Sequence, residues 1–349
     1  MKKEIFIVGT RPEIIKVAPI LLKLDRSEYF LIHTGQHKEL AEEAFHAFSI
    51  SPDWSFNLMQ ENQSLAEFTS RCYAKLTQLL PILDISHVWV HGDTASALVG
   101  AQVAKLYGFN VIHLEAGLRS WDMKNPWPEE MFRIQIDTIA DVLLAPTTYA
   151  KDILLENDNY SDKIVDLTGN TVVDALEIVK SKLPEENPFS EKFVLATIHR
   201  RESFGPRMIE IFKALKILSK NIKIVIPAHP NPNVRKALKE VGLDYVEPMS
   251  YIEFLTHMKF CEYIITDSGG LQEEAPSFQK KTIVLRNTTE RPEALEAGIS
   301  ILISNFDIDT IIHEVKEFAA NDVEFHSNPF GDGHAADYII MNLRNGKYD

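Results

Sequence analysis

The stretch TDSGGLQEEAP, Thr266 to Pro276, concentrates residue types that can do chemistry. It follows an apolar run, Tyr263-Ile264-Ile265, that reads as a buried strand, and it leads into a helix-like run carrying Glu273 and Glu274. A Ser-Gly-Gly turn between strand and helix exposes backbone N–H groups at a helix N-terminus, where the helix dipole favours anions. Gly269 and Gly270 let the backbone approach a phosphate closely. A carboxylate one turn into such a helix, here Glu274, suits ribose hydroxyls. Ser268, Gly269, Gly270 and Glu274 are therefore candidates for holding a nucleotide diphosphate.

Other polar residues also fall just after predicted strands, where open parallel sheets bind ligands. GTRPEIIK (Gly9–Lys16) offers Arg11 and Lys16; HGDT (His91–Thr94) offers Asp93; HLEAGLRS (His113–Ser120) offers Glu115; PWPEEMFR (Pro126–Arg133) offers Glu129. In the second half TIHRRESFG (Thr197–Gly205) offers His199, PAHPNPNVR (Pro227–Arg235) offers His229, and RNTTERPEALEAG (Arg286–Gly298) offers Arg291.

Each has an ordinary alternative. Arg11 and Lys16 can be a surface pair. Asp93 can cap the helix expected near Ser96. Glu115 can be a helix-start acid and Glu129 an acid of a first helical turn. His199 can be merely solvated, His229 a satisfied turn residue, and Glu290–Arg291 a loop ion pair of little value. Taken singly these alternatives compete. Taken together they are weak, because one topological edge keeps collecting Asp, Glu, His and Arg.

The candidates separate into two jobs. Asp93, Glu115 and Glu129 are carboxylates suited to general acid–base work, typically worth about 10²–10⁴-fold. Ser268, Gly269, Gly270 and Arg291, with His199 near them in topology, supply N–H groups and charge that stabilise a departing diphosphate. That division suggests chemistry on a sugar whose leaving group is a nucleotide.

The elements that must position these groups alternate. Strands are expected at 4–8, 30–33, 87–90, 110–114, 142–144 and 164–167. Helices are expected at 13–24, 37–48, 65–80, 96–107, 129–140 and 151–157. After a Pro- and charge-rich break, SKLPEENPFS (Ser181–Ser190), the alternation restarts. Strands follow at 193–198, 222–226, 263–266 and 282–285, with helices at 207–218, 233–241, 251–259, 272–278 and 308–320. This βαβα order implies an α/β fold with two Rossmann-like, doubly wound parallel sheets and ligands at the strand ends, facing a cleft. The expected domains are residues 1–170, with a tail at 334–349 packing back on them, and 171–333.

Composition sets the outer bounds. A chain of 349 residues, 45% apolar and 25% charged, is normal for a two-domain globular protein. The apolar runs are strand-sized, which argues against a membrane span, and no secretory signal is expected. Two widely spaced cysteines, Cys72 and Cys261, suit buried apolar filling in a reducing cytoplasm and exclude a disulfide framework or a Cys-based zinc site. A net charge of −14 argues against general nucleic-acid binding, so an anionic ligand needs local cations that beat the global field.

The motifs GTRPEIIK, TGQH, HGDT, HLEAGLR, PWPEE, GNTVVDAL, HRRESFG, DSGGLQEEAPS, TTERPEA and NPFGDGHA occur in order from Gly9 to about Ala335. Together the set is highly specific and resembles the bacterial non-hydrolysing UDP-N-acetylglucosamine 2-epimerases. The resemblance implies the two-domain architecture of glycosyltransferase-B-like enzymes and a homodimer. It also implies a reaction in which UDP is eliminated to give a 2-acetamidoglucal and then added back with the opposite configuration at C2. It assigns Asp93, Glu115, Glu129 and His199 to catalysis, and Arg11, Lys16, His229, Ser268, Gly269, Gly270, Glu274 and Arg291 to the UDP-sugar. No redox cofactor or metal is needed for that route.

Two departures stand out. Phe132 occupies a position that is usually Asn in the family's PEExNR stretch, which bears on the pocket near Glu129. Many bacterial members also bind a second UDP-N-acetylglucosamine as activator. The corresponding segments here, TGQHKEL and NQSL, keep Gln36, His37 and Gln63 but carry Glu39 for an amide and Asn62 for a cation. This reads as a vestigial activator site with weakened or absent substrate activation. Four alternatives stay open: a 2-epimerase of a related UDP-2-acetamido sugar, a hydrolysing 2-epimerase, a glycosyltransferase of the same architecture, and a UDP-sugar-binding regulator without turnover.

Overall fold

The computed structural model describes residues 2–36, 39–60 and 63–349, with Glu39 described by its backbone alone. The chain forms two compact units, Met1–Val179 with Phe330–Asp349, and Lys180–Pro329.

The first unit runs β1 (Lys3–Val8), α1 (Arg11–Leu21), β2 (Tyr29–His33), α2 (Glu39–Phe48), β3 (Trp54–Ser55), α3 (Leu65–Leu79), β4 (Ile85–His91), α4 (Ala95–Leu106), β5 (Asn110–Leu114), α5 (Glu129–Ile139), β6 (Val142–Ala145), α6 (Thr148–Leu155), β7 (Ile164–Leu167) and α7 (Thr171–Lys180). Its seven strands are all parallel, in the order β3-β2-β1-β4-β5-β6-β7. The strand order reverses between β1 and β4, which is where such sheets open a crevice. Ile5, Phe6, Ile7 and Val8 are all fully buried, as a strand covered on both faces must be.

The second unit runs β8 (Phe193–Thr197), α8 (Pro206–Leu218), β9 (Lys223–Val225), α9 (Pro232–Val241), α10 (Tyr251–Phe260), β10 (Ile264–Thr266), α11 (Gly269–Glu274), β11 (Thr282–Leu285), α12 (Pro292–Glu296), β12 (Ser300–Ile303) and α13 (Ile308–Ala320). Its five parallel strands are ordered β12-β11-β10-β8-β9, with the reversal between β8 and β10. A last helix, α14 (Ala335–Arg344), returns to the first unit.

The change of unit falls after Val179 rather than after Asn170, the boundary expected from the sequence. The reason is α7, which buries Val172, Val173, Ala175, Leu176 and Val179. Asp174 on the same helix accepts the backbone N–H groups of Ala335 (3.3 Å) and Ala336 (2.8 Å), tying α7 to the start of α14. Further along the tail, Asn342 Nδ2 (2.9 Å) and the Tyr348 hydroxyl (3.1 Å) both donate to Asp166 in β7.

Both cysteines are buried and free, and burial pushes each thiol up to about 12, so they act as apolar filling. Among the described residues no helix is long and apolar enough to cross a membrane.

Candidate active site

In the first unit the loops that follow β1 and β4 are tied together by one buried carboxylate. Glu13, in the first turn of α1, accepts the backbone N–H groups of Gly9 (3.1 Å) and Thr10 (2.7 Å) on Oε2 and the Thr94 hydroxyl (2.9 Å) on Oε1. Burial pushes its pKa up to about 7 against the lowering effect of those hydrogen bonds. Arg11 opens α1 beside this junction and is half-buried.

Asp93 lies at the end of that bridge, between Gly92 and Thr94. It does not cap α4: Thr94 is the N-cap, and its hydroxyl accepts the Ala97 N–H at 3.0 Å. The Asp93 carboxylate instead receives the guanidinium of Arg133. Arg133 also donates to Glu130 at 3.1 Å, and Glu130 accepts the N–H groups of Ser120 and Trp121 at 3.0 and 3.1 Å. An arginine rather than a lysine fits here, because its planar fork serves two carboxylates at once.

Glu115 is not a helix-start acid either. It stands alone in the turn after β5 with φ +63°, a backbone conformation that side-chain-bearing residues adopt at a cost of about 1–3 kcal/mol and that gathers at functional sites. Lys16 donates to its Oε2, Asn170 Nδ2 lies 3.3 Å from the same oxygen, and His91 Nε2 lies 3.8 Å away. Lys16 is buried, so it is not half of a surface pair. His91, Glu115, Asn170 and Thr171 line a small polar recess in this unit. Glu129 is the first residue of α5, as an acid of a first helical turn would be, and is half-buried. Phe132, three residues on, belongs to the apolar core of the unit.

Behind these loops His113, Asp137 and Arg119 form a fully buried cluster. His113 Nδ1 is 2.6 Å from Asp137 Oδ1, and Arg119 Nη2 is 2.6 Å from Asp137 Oδ2. Arg119 also meets the Tyr160 hydroxyl at 3.2 Å.

The second unit repeats the bridging device with Asp267, the residue that follows β10. Its buried carboxylate accepts the N–H groups of His199 (3.0 Å) and Arg200 (2.9 Å) and the Ser203 hydroxyl (2.9 Å), joining the loops that follow β8 and β10. The His199 ring stacks on that of His229, with centroids 5.2 Å apart and an interplanar angle of 10°. His229 is exposed and its Nδ1 accepts the Asn231 N–H at 3.1 Å, a contact of the kind a turn residue makes.

Ser268 precedes α11, and Gly269 is packed against cations. A methyl group on Gly269 would lie 2.5 Å from Arg291 Nη1 and 3.3 Å from Arg200 Nη2, so a larger residue there would have to push the Arg291 guanidinium aside. Open space lies in front of Gly270. Glu274 ends α11 and is buried. Arg291 donates to Glu273 at 2.6 Å and to Glu290 at 3.3 Å; Arg286 donates to Glu290 at 2.7 Å and to Glu202 at 3.0 Å. All but Glu202 are buried, so Glu290–Arg291 is part of an interior network and not a screened loop pair. In this network two arginines face three carboxylates, so what it offers an anion is fixed guanidinium donors rather than net positive charge.

The activator-type segments have mixed status. Gln36 accepts the Ser96 hydroxyl at 2.9 Å, and Gln63 Nε2 lies 2.6 Å from the Met59 sulfur. Ser64, of NQSL, caps α3 in a reciprocal pair with Glu67. His37, Asn62 and the Glu39 side chain lie outside the described residues.

Sequence reasoning passed over Glu13, His113, Asp137, Arg119, Arg133, Arg200, Asp267 and Arg286. A signal existed for some of them. Glu13, His113, Arg119, Arg133, Arg200, Asp267 and Arg286 sit inside motifs singled out for other members. Asp137 shares the buried side of α5 with Glu130 and Arg133, a place where charged side chains occur only when partnered.

Fold and residues together define a protein of two doubly wound α/β units, with paired carboxylates at the strand ends of one and arginines over a Ser-Gly-Gly turn in the other. A sequence profile of the UDP-N-acetylglucosamine 2-epimerase family matches residues 22–344. The UDP-N-acetylglucosamine 2-epimerase of Campylobacter jejuni is 38% identical over 379 aligned positions, covering 99% of this chain and 98% of that one. The UDP-bound structure of MnaA from S. aureus superposes with a TM-score of 0.91 at 35% identity, covering 99% of this chain and 97% of that one. The Neisseria meningitidis UDP-GlcNAc 2-epimerase bound to UDP-GlcNAc gives 0.89 at 36% identity, covering 99% and 100%. The chain belongs to the UDP-N-acetylglucosamine 2-epimerase family.

Proposed function

We propose that this protein interconverts UDP-N-acetylglucosamine and UDP-N-acetylmannosamine without hydrolysing them. The C2 proton of the sugar is not alpha to a carbonyl, so removing it alone is very unfavourable. Elimination avoids the difficulty: the C2–H and C1–O bonds break, C1=C2 forms, a carboxylate takes the proton, and UDP leaves with the electron pair. Return of a proton to the other face of C2 and of the UDP oxygen to C1 completes an isomerisation that is neutral in redox and in atoms.

The observation that carries this reading is the pairing of Asp93 with Arg133 and of Glu115 with Lys16 at the ends of adjacent strands. These two carboxylates, with Glu129 on the next helix, would supply the base and the acid. In the second unit Ser268, Gly269 and Gly270 with Arg291 would hold the diphosphate, joined by Arg200, while Glu274 would take the ribose and His199 would assist UDP departure. Arg11, Lys16 and His229 complete the binding set.

Proton NMR of the protein with UDP-GlcNAc in deuterated water tests this directly. The expected product is UDP-ManNAc carrying deuterium at C2. Free ManNAc with UDP would replace the proposal by hydrolysis, and absence of any change would remove UDP-GlcNAc as substrate. The same reading makes the protein a cytoplasmic homodimer feeding surface polysaccharide synthesis, supported by the motif resemblance and the two free cysteines. Sedimentation at the mass of a single chain would remove the dimer.

A further inference from the structure

His113 is the fourth residue of β5, fully buried, two residues before Glu115. Its ring stands between two oxygens: Asp137 Oδ1 at 2.6 Å from Nδ1 and the Gly92 carbonyl at 2.8 Å from Nε2. A carbonyl oxygen can only accept. Asp137 receives the Arg119 guanidinium and, at 3.3 Å, the Gly117 N–H on its other oxygen. Burial pushes the Asp137 carboxyl up, yet with the Arg119 guanidinium against it the group lies below its ordinary value, so it too is an acceptor. A neutral imidazole has one donor and one lone pair. It would turn that lone pair toward an oxygen in an interior where unmade hydrogen bonds are costly.

Gly92 is the residue this ring holds. It has φ +64° and no side chain to fix it; its N–H donates to Leu114 O at 2.9 Å and its carbonyl faces His113. Both backbone polar groups of Gly92, the residue that leads to Asp93, are thus tied to β5. On the far side Thr94 is tied to Glu13. The groups facing the ring cluster are Asp137, Arg119 and the Tyr160 hydroxyl.

We propose that His113 is a buried imidazolium that donates from both ring nitrogens, and that it is a positioning residue, holding the Gly92 carbonyl so that Asp93 is presented for proton transfer. With Arg119 and Asp137 it forms a cluster of two cations and one anion, a fixed positive charge beside the carboxylates of the site. Its effect on turnover rests on the epimerase reading; its protonation does not.

Two measurements test this. In protein labelled with ¹⁵N-histidine, the ring of His113, assigned by through-space contacts to Gly92, is expected to show a proton on each nitrogen at neutral pH. A ring nitrogen without a proton overturns the imidazolium. In His113→Gln, kcat is expected to fall at least about ten-fold, with KM and UDP affinity held within about two-fold, the pattern of a misplaced catalytic group. Unchanged kcat overturns the positioning role. Should that variant not fold, Asp137→Asn is expected to strip one proton from the ring and to lower kcat likewise, and unchanged kcat there overturns the role too. If the unmodified protein turns over no UDP-GlcNAc, the epimerase reading fails while the NMR result still decides the protonation.

Discussion

The Lys16 ammonium, on α1, donates to Oε2 of Glu115, 99 residues further along the chain; Lys16 is buried and the Glu115 side chain is only 10% exposed. Removing one member of such a pair strands the other as an interior charge, which costs more than the pair is worth. Lys16→Met is expected to lower stability by about 3 kcal/mol in denaturant titration, and adding Glu115→Gln is expected to restore part of it. A single variant as stable as the parent would mean the pair is hydrated.

Glu115→Gln alone keeps the shape and removes the charge. Turnover is expected to fall at least about 10²-fold while UDP affinity is kept. Steady-state kinetics with UDP titration calorimetry checks both halves, and full turnover would assign Glu115 to structure.

Asp93→Asn should behave similarly, since Thr94 and not Asp93 caps α4. The fold should survive and kcat should fall by about 10² or more. Folding lost with the substitution would show that Asp93 chiefly neutralises Arg133.

Arg291 lies over Gly269 and is shared by Glu273 and Glu290. UDP is expected to raise the melting temperature of the parent protein and to do so much less in Arg291→Ala, because charge-assisted phosphate contacts are strong. An undiminished shift would take Arg291 out of the diphosphate site.

Glu13 gives a pH signature. Its folded pKa is raised from 4.5 to about 7, so between those values the folded state holds a proton that the unfolded chain has released. Its contribution is therefore full below 4.5 and is lost as pH rises through about 7. Glu13→Gln does not titrate and keeps one acceptor oxygen for the Gly9 and Thr10 N–H groups, with its amide NH2 facing the Thr94 hydroxyl. It is expected to flatten the decline of stability over that window by roughly 1–3 kcal/mol, read from unfolding curves at several pH values. Identical slopes would exclude the group.

Much of this was legible in the sequence because parallel strands buried on both faces advertise themselves as short apolar runs, as in Ile5–Val8. Motif residues just after such runs then fall at the strand ends. What escaped was small or tertiary. β3 has two residues, and α12 has five. The α7 helix was missed, and with it the true boundary, because its attachment depends on Ala335 and Ala336, far off in sequence. Glu13, Asp137 and Asp267 escaped for the same reason. A carboxylate becomes a bridge only when two loops remote in sequence are folded around it.

The return of Phe330–Asp349 to the first unit has a consequence for synthesis. A ribosome finishes Lys180–Pro329, a continuous segment with its own sheet, before it has made α14. The first unit, though begun earlier, must wait with the Asp166 and Asp174 carboxylates exposed until that helix emerges. The half of the protein that starts first is thus the last to close.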